Sequence, residues 1–134
     1  MIVDAVLGLQ YGDEGKGKIS HALLEKGDYD LCIRFNGGCN AGHTAGVFFG
    51  VRSIIGNGCV VDLFKFLDEL AYLSENTDLP VGDLVKVAHN AHIITQKHRD
   101  EERGESTIGT TKTGNGPAYR DKHGRKGVRA FDIP

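Results

Sequence analysis

The chain has 134 residues, of which 40% are hydrophobic, and a formal net charge of -2. This length suits one domain with its own core, and the charge excludes a general attraction to nucleic acid or to an anionic membrane surface. The three cysteines are odd in number and lack the Cys-x-x-Cys spacing, which argues against a disulfide framework and against a zinc site. Since no signal peptide or long apolar run stands out, we expect a cytoplasmic protein.

The first predicted elements are a strand, a glycine-rich loop and a helix. Residues 2–9 have the composition of a buried strand, and residues 19–26 can form a helix that ends before Gly27. Between them lies the sequence Gly-Asp-Glu-Gly-Lys-Gly-Lys, residues 12–18, which we call the first loop. A strand, a glycine-rich turn and a helix together present backbone N–H groups and the positive end of a helix to a phosphate group.

The side chains of the first loop leave two interpretations open. Lys16 and Lys18 would supply positive charge to phosphate oxygens, but Asp13 and Glu14 would repel a phosphate unless a metal ion or a proton-transfer role accounts for them. The glycine spacing matches neither Gly-x-x-x-x-Gly-Lys-Ser/Thr nor Gly-x-Gly-x-x-Gly. The first loop is therefore either a phosphate-binding loop or a structural glycine-rich turn.

A second strand is predicted at residues 31–35, parallel to the first and joined to it by a right-handed crossover. It leads into residues 36–44, which we call the second loop. In open parallel sheets, loops at the carboxyl ends of neighbouring strands lie side by side, and ligands bind there. The side chains expected to converge are Asp13, Lys16, Asn40, His43 and Thr44. A carboxylate and an imidazole that face one ligand suit proton transfer, although His43 on its own could simply support a turn.

Shorter elements fill the middle of the chain. They are predicted as strands at residues 53–55, 59–61 and 84–88, with a turn at residues 56–58. Asp62 can cap a helix over residues 63–74. Five apolar side chains recur there at helical spacing and are predicted to face the core: Leu63, Phe66, Leu67, Leu70 and Leu73.

Three histidines, His89, His92 and His98, lie close together in the sequence. No carboxylate or cysteine stands near them at a metal-ligand spacing, so surface histidines are the simpler interpretation. Residues 95–103 are charged and predict an exposed helix.

Residues 106–119, which we call the third loop, are rich in glycine and hydroxyl side chains. They overlap a basic segment, residues 107–129, in which six basic residues stand against one acidic residue. An anion-binding loop and a surface loop without a ligand both remain open. A nucleic-acid contact has little support, because Tyr119 is the only aromatic residue in the basic segment.

The glycine-rich motifs together resemble the N-terminal part of the adenylosuccinate synthetase family. The resemblance is carried, in the family's order, by residues 12–18, 40–44, 55–58, 108–111, 116–119, 121–122 and 125–127. It implies an α/β fold similar to P-loop NTPases, with a mainly parallel sheet and flanking helices. Residues 1–134 would then form the N-terminal part of the family's nucleotide-binding domain, incomplete relative to the family.

The resemblance also implies an activity in purine nucleotide biosynthesis. Members join IMP and L-aspartate at the expense of GTP, with Mg²⁺, through an intermediate phosphorylated at the purine O6. Asp13 would take the N1 proton of the purine and bind Mg²⁺, the carbonyl of Gly42 would be a second metal ligand, and His43 would act as the acid. The GTP phosphates would be held by Gly12, Glu14, Gly15, Lys16, Gly17, Lys18, Gly42, His43 and Thr44. The IMP contacts would be Asp13, Asn40, Thr111 and Arg125, with Arg125 reaching the site of the partner in a homodimer.

Two departures from the family keep alternatives open. After Thr111 the family usually continues Gly-Arg-Gly-Ile-Gly-Pro, whereas residues 112–117 read Lys-Thr-Gly-Asn-Gly-Pro. A relative that acts on dGMP is therefore the competing substrate assignment, but such relatives replace the aspartate of the first loop with a small residue, and Asp13 favours IMP. The chain is also shorter than the family between residues 44 and 54, and everything after Pro134 is missing relative to the family. A non-catalytic module that binds nucleotide phosphates is the other alternative, because 134 residues are not expected to perform the full reaction alone.

Overall fold

The computed structural model describes residues 2–10, 14–39, 46–104 and 111–133. The helices in these ranges are α1 (Lys16–Glu25), α2 (Leu63–Asn76), α3 (Val81–Leu84), α4 (Gln96–Gly104) and α5 (Asn115–His123). The strands are β1 (Leu31–Gly37), β2 (Arg52–Val61), β3 (Val85–Val87) and β4 (His92–Ile93). Two 3₁₀ turns, Val47–Phe49 and Ala130–Asp132, complete the described elements. No described helix combines the length and the apolar composition that crossing a membrane requires.

A parallel sheet forms the centre of the fold, with β2 as its middle strand. β2 pairs in parallel with β1 on one side and with β3 on the other, and its last residues pair with β4. The predicted strands at 31–35 and 84–88 are therefore confirmed, and the parallel sheet with flanking helices confirms the predicted fold class. Because all these pairs are parallel, the carboxyl ends of β1, β2 and β4 point to the same edge of the fold.

The predicted turn at residues 56–58 is wrong, because these residues lie inside β2. The pairing of β1 with β2 shifts register between Arg34 and Asn36, where β2 carries one extra residue, so that Gly56 and Asn57 lie opposite Phe35 and the bulge is in β2. A Cβ atom on Gly58 would lie closer than 3.0 Å to the Phe35 carbonyl oxygen, and one on Gly56 would lie 3.0 Å from the Arg34 carbonyl oxygen. These glycines therefore permit a close approach of two strands instead of a turn.

The core lies between β2 and α2. Asp62 caps α2 as predicted, with its Oδ1 atom accepting a hydrogen bond from Lys65 N at 3.3 Å. Phe66 and Leu73 are buried, and Leu63 and Leu70 pack partly buried against the same cluster. Leu67 was expected in this stripe but is 52% exposed, because it lies at the edge of the apolar face of the helix.

The predicted first strand is wrong as well. Residues 2–8 have no regular secondary structure, and Ile2, Val3 and Leu7 are 64–76% exposed. Among the described residues β1 takes β2 as its parallel partner, and no strand pairing joins it to residues 2–9. An apolar run becomes a buried strand only where a neighbouring strand and covering layers are present, and the described part of the chain supplies neither for this run.

Candidate functional site

The end of the first loop forms the start of α1. The predicted helix began at residue 19, but α1 starts at Lys16, with Gly15 as its N-cap at φ 79°. The first hydrogen bond of the helix runs from Ile19 N to the Gly15 carbonyl oxygen at 3.1 Å. The N–H groups of residues 16–18 precede that bond and lie at the positive end of the helix, which is the geometry that binds phosphate. The predicted helix end at Gly27 is confirmed by its φ of 79°.

Glu14 supports Lys16 from within the first loop. Its Oε2 atom accepts a hydrogen bond from Lys16 Nζ, and its Oε1 atom accepts one from Gln10 N at 3.1 Å. Both side chains also lie so close to Gly8 that a Cβ atom there would meet them at 2.6 Å. The Glu14 carboxylate therefore holds the lysine and the loop backbone, which explains an acidic residue in a loop suited to anions. Gly12 and Asp13 lie outside the described residues.

The second loop begins where α5 contacts the end of β1. Gly37 N donates a hydrogen bond to Tyr119 Oη at 2.8 Å, and that hydroxyl donates to the Gly58 carbonyl oxygen at 2.9 Å. Cys39 N donates to Asn115 Oδ1 at 3.4 Å. One helix therefore ties the last residues of β1 to β2 just before the predicted site residues. Those residues, Asn40, Gly42, His43 and Thr44, lie outside the described part of the chain.

The third loop is shorter than predicted, because residues 115–119 belong to α5. Gly114 is its N-cap at φ 84°, and Gly114 N donates a hydrogen bond to the buried carboxylate of Glu102. Thr111 Oγ1 lies 2.8 Å from Thr113 Oγ1. Residues 105–110 lie outside the described ranges. Glu102 on α4 thus does for α5 what a side-chain cap does for other helices.

The sequence predicted an exposed helix over residues 95–103. α4 is exposed on one face, but its opposite face is buried, so the prediction is wrong for that face. His98 and Glu102, four residues apart and on the same face, are buried. Thr95 N donates to His98 Nδ1 at 3.1 Å, which leaves the proton on Nε2, and Nε2 donates to Asp121 Oδ2 at 3.2 Å. This contact joins α4 to α5.

The three histidines that lie close in the sequence, His89, His92 and His98, each contact different partners in the structure. His89 packs edge-on against Phe131, with ring centroids 6.0 Å apart, and His92 Nδ1 lies 3.2 Å from Lys122 Nζ. Within the described ranges, no group of three or more histidine, cysteine, aspartate or glutamate side chains is arranged to hold a metal ion.

Asp121 makes the α4–α5 contact sensitive to acid. The hydrogen bond from His98, assisted by Arg120, holds the pKa of Asp121 below its usual value. A depressed carboxyl pKa adds stability above the unfolded-state pKa, and that stability is lost as the pH falls through the folded-state pKa, so the sensitive range lies below about pH 4. We expect Asp121→Asn to lower the Tm at pH 7 and the difference from the wild type to shrink toward pH 3. Thermal melts at both pH values measure this, and an unchanged Tm at pH 7 would contradict it; the exposed Asp78→Asn serves as the control.

Arg125 and Thr111 lie at opposite ends of α5. Thr111 precedes the helix, and Arg125 follows it in a turn, with φ at 58° and its N–H bonded to the Lys122 carbonyl oxygen at 3.2 Å. Nine helical residues span about 14 Å. Within one chain, the two predicted monophosphate contacts are thus separated by the length of the helix.

Three positioning residues escaped the prediction from sequence: Glu102, Asn115 and Tyr119. Tyr119 lies within a motif that the resemblance uses, but the sequence assigns it no role. The spacing of four between His98 and Glu102 was the signal that one face of α4 is buried. Asn115 gave no signal, because its partner backbone comes from a strand end 76 residues earlier.

Comparison with known proteins agrees with this geometry. The family model described as adenylosuccinate synthetase matches residues 5–134. The adenylosuccinate synthetase of Desulfitobacterium hafniense is 44% identical over 149 residues, which cover 96% of this chain and 34% of the relative. That of Picrophilus torridus is 38% identical and covers 98% of this chain and 35% of the relative. A fully ligated adenylosuccinate synthetase from Plasmodium falciparum superposes with a TM-score of 0.79 at 34% identity, over 93% of this chain and 34% of that chain.

The fold is therefore an α/β fold of the P-loop NTPase-like class, with a parallel sheet and flanking helices. This chain belongs to the adenylosuccinate synthetase family. It spans about a third of the length of the relatives that it matches. The match to the Desulfitobacterium protein covers 149 residues, more than the 134 of this chain, so the relative carries residues within the matched stretch that this chain lacks. The position of that shortening, between residues 44 and 54, stays a prediction.

Proposed function

We propose that this chain supplies the phosphate-binding and proton-transfer part of a GTP-dependent ligase that joins IMP and L-aspartate into adenylosuccinate. Membership of the family supports the assignment, and the described geometry that carries it is the start of α1. There Gly15 is left-handed, Lys16 opens the helix and Glu14 holds the lysine. An amide-rich helix end with a positioned lysine binds the phosphates of a nucleotide.

The proposed roles follow the loops. The first loop, from Gly12 to Lys18, and the second loop, through Gly42, His43 and Thr44, bind the GTP phosphates. Asp13 takes the proton from N1 of the purine, so that the O6 atom can attack the γ-phosphate of GTP, and the aspartate amine then displaces the phosphate. His43 acts as the acid and stabilises the transferred group, since charge stabilisation dominates phosphoryl transfer.

A magnesium ion fits the proposed donor set. Asp13 would provide a carboxylate oxygen and Gly42 a backbone carbonyl oxygen, and Mg²⁺ prefers oxygen ligands together with substrate phosphates. When bound, the ion neutralises charge on the phosphates.

The monophosphate of IMP would be bound by Asn40 and Thr111 of one subunit and by Arg125 of the partner in a homodimer. The separation of Thr111 and Arg125 by the length of α5 supports this division, because it places the two residues at opposite ends of one helix. Gel filtration with light scattering tests the dimer, and Arg125→Gln should raise the KM for IMP in a dimeric protein.

Two measurements on one sample test the proposal. The first is the intact mass of the natural protein, and the second is product formation that requires GTP, IMP and L-aspartate together. A mass well above 14.5 kDa with activity would support a complete ligase. Nucleotide binding without turnover would favour the non-catalytic module, and turnover with dGMP but not IMP would favour the other substrate assignment.

Lys16 and Glu14 provide a graded test of the phosphate site. We expect Lys16→Gln to weaken GTP binding by about 10- to 100-fold, since it removes a charge-assisted contact. Glu14→Gln should weaken it less, by about threefold, because the lysine keeps its charge and loses only part of its support. Calorimetric titration with GTP measures both. Equal effects would mean that Glu14 contacts the nucleotide directly, and no effect from Lys16→Gln would remove the lysine from the site.

A further inference from the structure

We propose that the cavity between the last turn of α1 and the start of β2 binds a free α-amino acid with a cationic side chain, such as L-lysine. We call it the α1-end cavity. The inference goes beyond the proposed ligase function, because the ligase would use L-aspartate, whose charges are the reverse of those of L-lysine. The side chains that carry the inference have no role in the proposed ligase mechanism.

The α1-end cavity lies at the opposite end of α1 from the proposed phosphate site. α1 begins at Lys16 and ends at Glu25, and ten helical residues span about 15 Å. The last turn of α1, the segment between α1 and β1, and residues 49–52 line the cavity. It therefore lies at the amino ends of β1 and β2, whereas the ligands of parallel α/β folds bind at the carboxyl ends. Residues 49–52 also fall within the stretch where this chain is predicted to be shorter than its relatives, so we expect the cavity to differ from theirs.

Apolar side chains form part of the lining of the α1-end cavity. Its volume is about 550 Å³, within the range of about 300–1,000 Å³ that is typical of small-molecule sites. Leu24 and Val51 line it and are buried. Phe49 lines it as well, and His21 packs edge-on against the Phe49 ring with ring centroids 4.9 Å apart. Such a surface suits the aliphatic stem of a long side chain, and an aromatic ring also attracts an ammonium group.

The charges that line the α1-end cavity match an amino acid with a cationic side chain. They are the carboxylates of Glu25 and Asp30 and the guanidinium of Arg52, all on exposed residues. Among the described residues, none forms an ion pair with these three side chains. L-lysine has two ammonium groups and one carboxylate, so each of its charges has an opposite charge in the lining. The fork of a guanidinium suits the carboxylate of the ligand.

The surroundings of the α1-end cavity add to the attraction for a cation. The last turn of α1 contains no basic residue, so the negative end of the helix dipole is available there. Lys26 follows as the C-cap and does not line the cavity. Tyr29 does line it and donates a hydrogen bond to Asp4. That bond raises the pKa of Tyr29 above its usual value, and the charges of Asp4 and Asp28 add to the shift, which shows that this end of the cavity is negative.

Equilibrium dialysis of the natural protein with radiolabelled L-lysine at fixed ionic strength tests the inference. We expect saturable binding, weakened about three- to tenfold by Glu25→Gln and by Asp30→Asn, because each change removes one charged contact. Glu75→Gln is the matched control, since Glu75 is an exposed glutamate of α2 that does not line the cavity. It should leave the affinity unchanged. No saturable binding at millimolar L-lysine, or an equal effect of Glu75→Gln, would overturn the proposal.

Arg52→Gln separates an amino-acid site from a surface that is merely acidic. Cadaverine carries the two ammonium groups of L-lysine but lacks the carboxylate. In Arg52→Gln we expect L-lysine to bind about three- to tenfold more weakly, whereas cadaverine should bind more tightly. The reason is that the guanidinium attracts a carboxylate and repels a diamine. Tighter binding of both ligands would contradict the proposal, since only negative charge would then be recognised.

L-aspartate and GTP distinguish the α1-end cavity from the ligase site. L-aspartate should not displace L-lysine, and displacement would contradict the proposed charge match. Lys16→Gln should weaken GTP binding and leave L-lysine binding unchanged, and Glu25→Gln should do the reverse. A protein that binds L-lysine but not GTP would support the cavity and contradict the proposed ligase function, whereas loss of L-lysine binding in Lys16→Gln would assign the amino acid to the first loop.

Discussion

Replacing Asp13 with alanine should lower turnover of the proposed ligase at least about 100-fold while leaving IMP binding nearly unchanged. A general base contributes about 10²–10⁴-fold to a rate, and the proton is taken from the purine only as the reaction proceeds. An interaction made in the transition state alone lowers kcat and spares substrate affinity. Steady-state kinetics in GTP, IMP and L-aspartate, with IMP affinity from calorimetry, measures both quantities on one variant.

Asp78→Ala is the matched control for that experiment, because it removes an exposed aspartate far along the chain, two residues after the last residue of α2. It should leave kcat and the circular dichroism spectrum unchanged. An unfolded Asp13→Ala protein would assign Asp13 a structural role, and a folded variant with normal kcat would place the base elsewhere. A variant that loses IMP affinity and kcat in proportion would make Asp13 a binding residue.

Sequence periodicity was enough to predict the elements whose neighbours are close in the chain. The apolar spacing in residues 63–74 and the cap at Asp62 depend on contacts within one helix and the adjoining strand. The cap is confirmed, and so are the core positions other than Leu67. Residues 2–9 have an equally clear apolar composition, but a buried strand needs partners from elsewhere in the fold. The exposed side chains of Ile2, Val3 and Leu7 show that composition alone does not supply them.

In the candidate site too, features that depend on local sequence could be predicted, whereas contacts between residues distant in the sequence could not. Gly15 and Lys16 could be assigned from sequence because a glycine-rich turn followed by a helix is a local motif, and the structure places both at the start of α1. The support that α5 gives to the second loop could not be assigned from the sequence. Tyr119 contacts Gly58 and Gly37, which precede it by 61 and 82 positions. Glu14 was expected to contact phosphate, and its bonds to Lys16 and Gln10 show a supporting role that charge alone does not reveal. The structure shows where Gly15 and Lys16 lie and what Glu14 contacts, whereas the binding and catalytic roles of all predicted site residues stay predictions. These are the first-loop residues Gly12 to Lys18 together with Asn40, Gly42, His43, Thr44, Thr111 and Arg125.

Gly58→Ala should destabilise the fold by about 3 kcal/mol or more. A Cβ atom at this position would lie closer than 3.0 Å to the Phe35 carbonyl oxygen, and a backbone oxygen in a paired strand cannot move aside as a side chain can. Overpacking of a rigid site costs about 1–3 kcal/mol and sometimes more. Urea unfolding, followed by circular dichroism, measures the free energy of unfolding.

Two other glycines turn that prediction into a graded series. Gly56→Ala should cost less, because its Cβ would lie 3.0 Å from the Arg34 carbonyl oxygen, and Gly82→Ala should cost nothing, because no atom lies within 4 Å of its Cβ. Equal losses at all three positions would contradict the close approach of β1 and β2. Gly58 also accepts the hydrogen bond from Tyr119 that holds the end of β1. If the second loop depends on that support, a Gly58→Ala protein that still folds should bind nucleotide more weakly than Gly56→Ala at equal folded fraction.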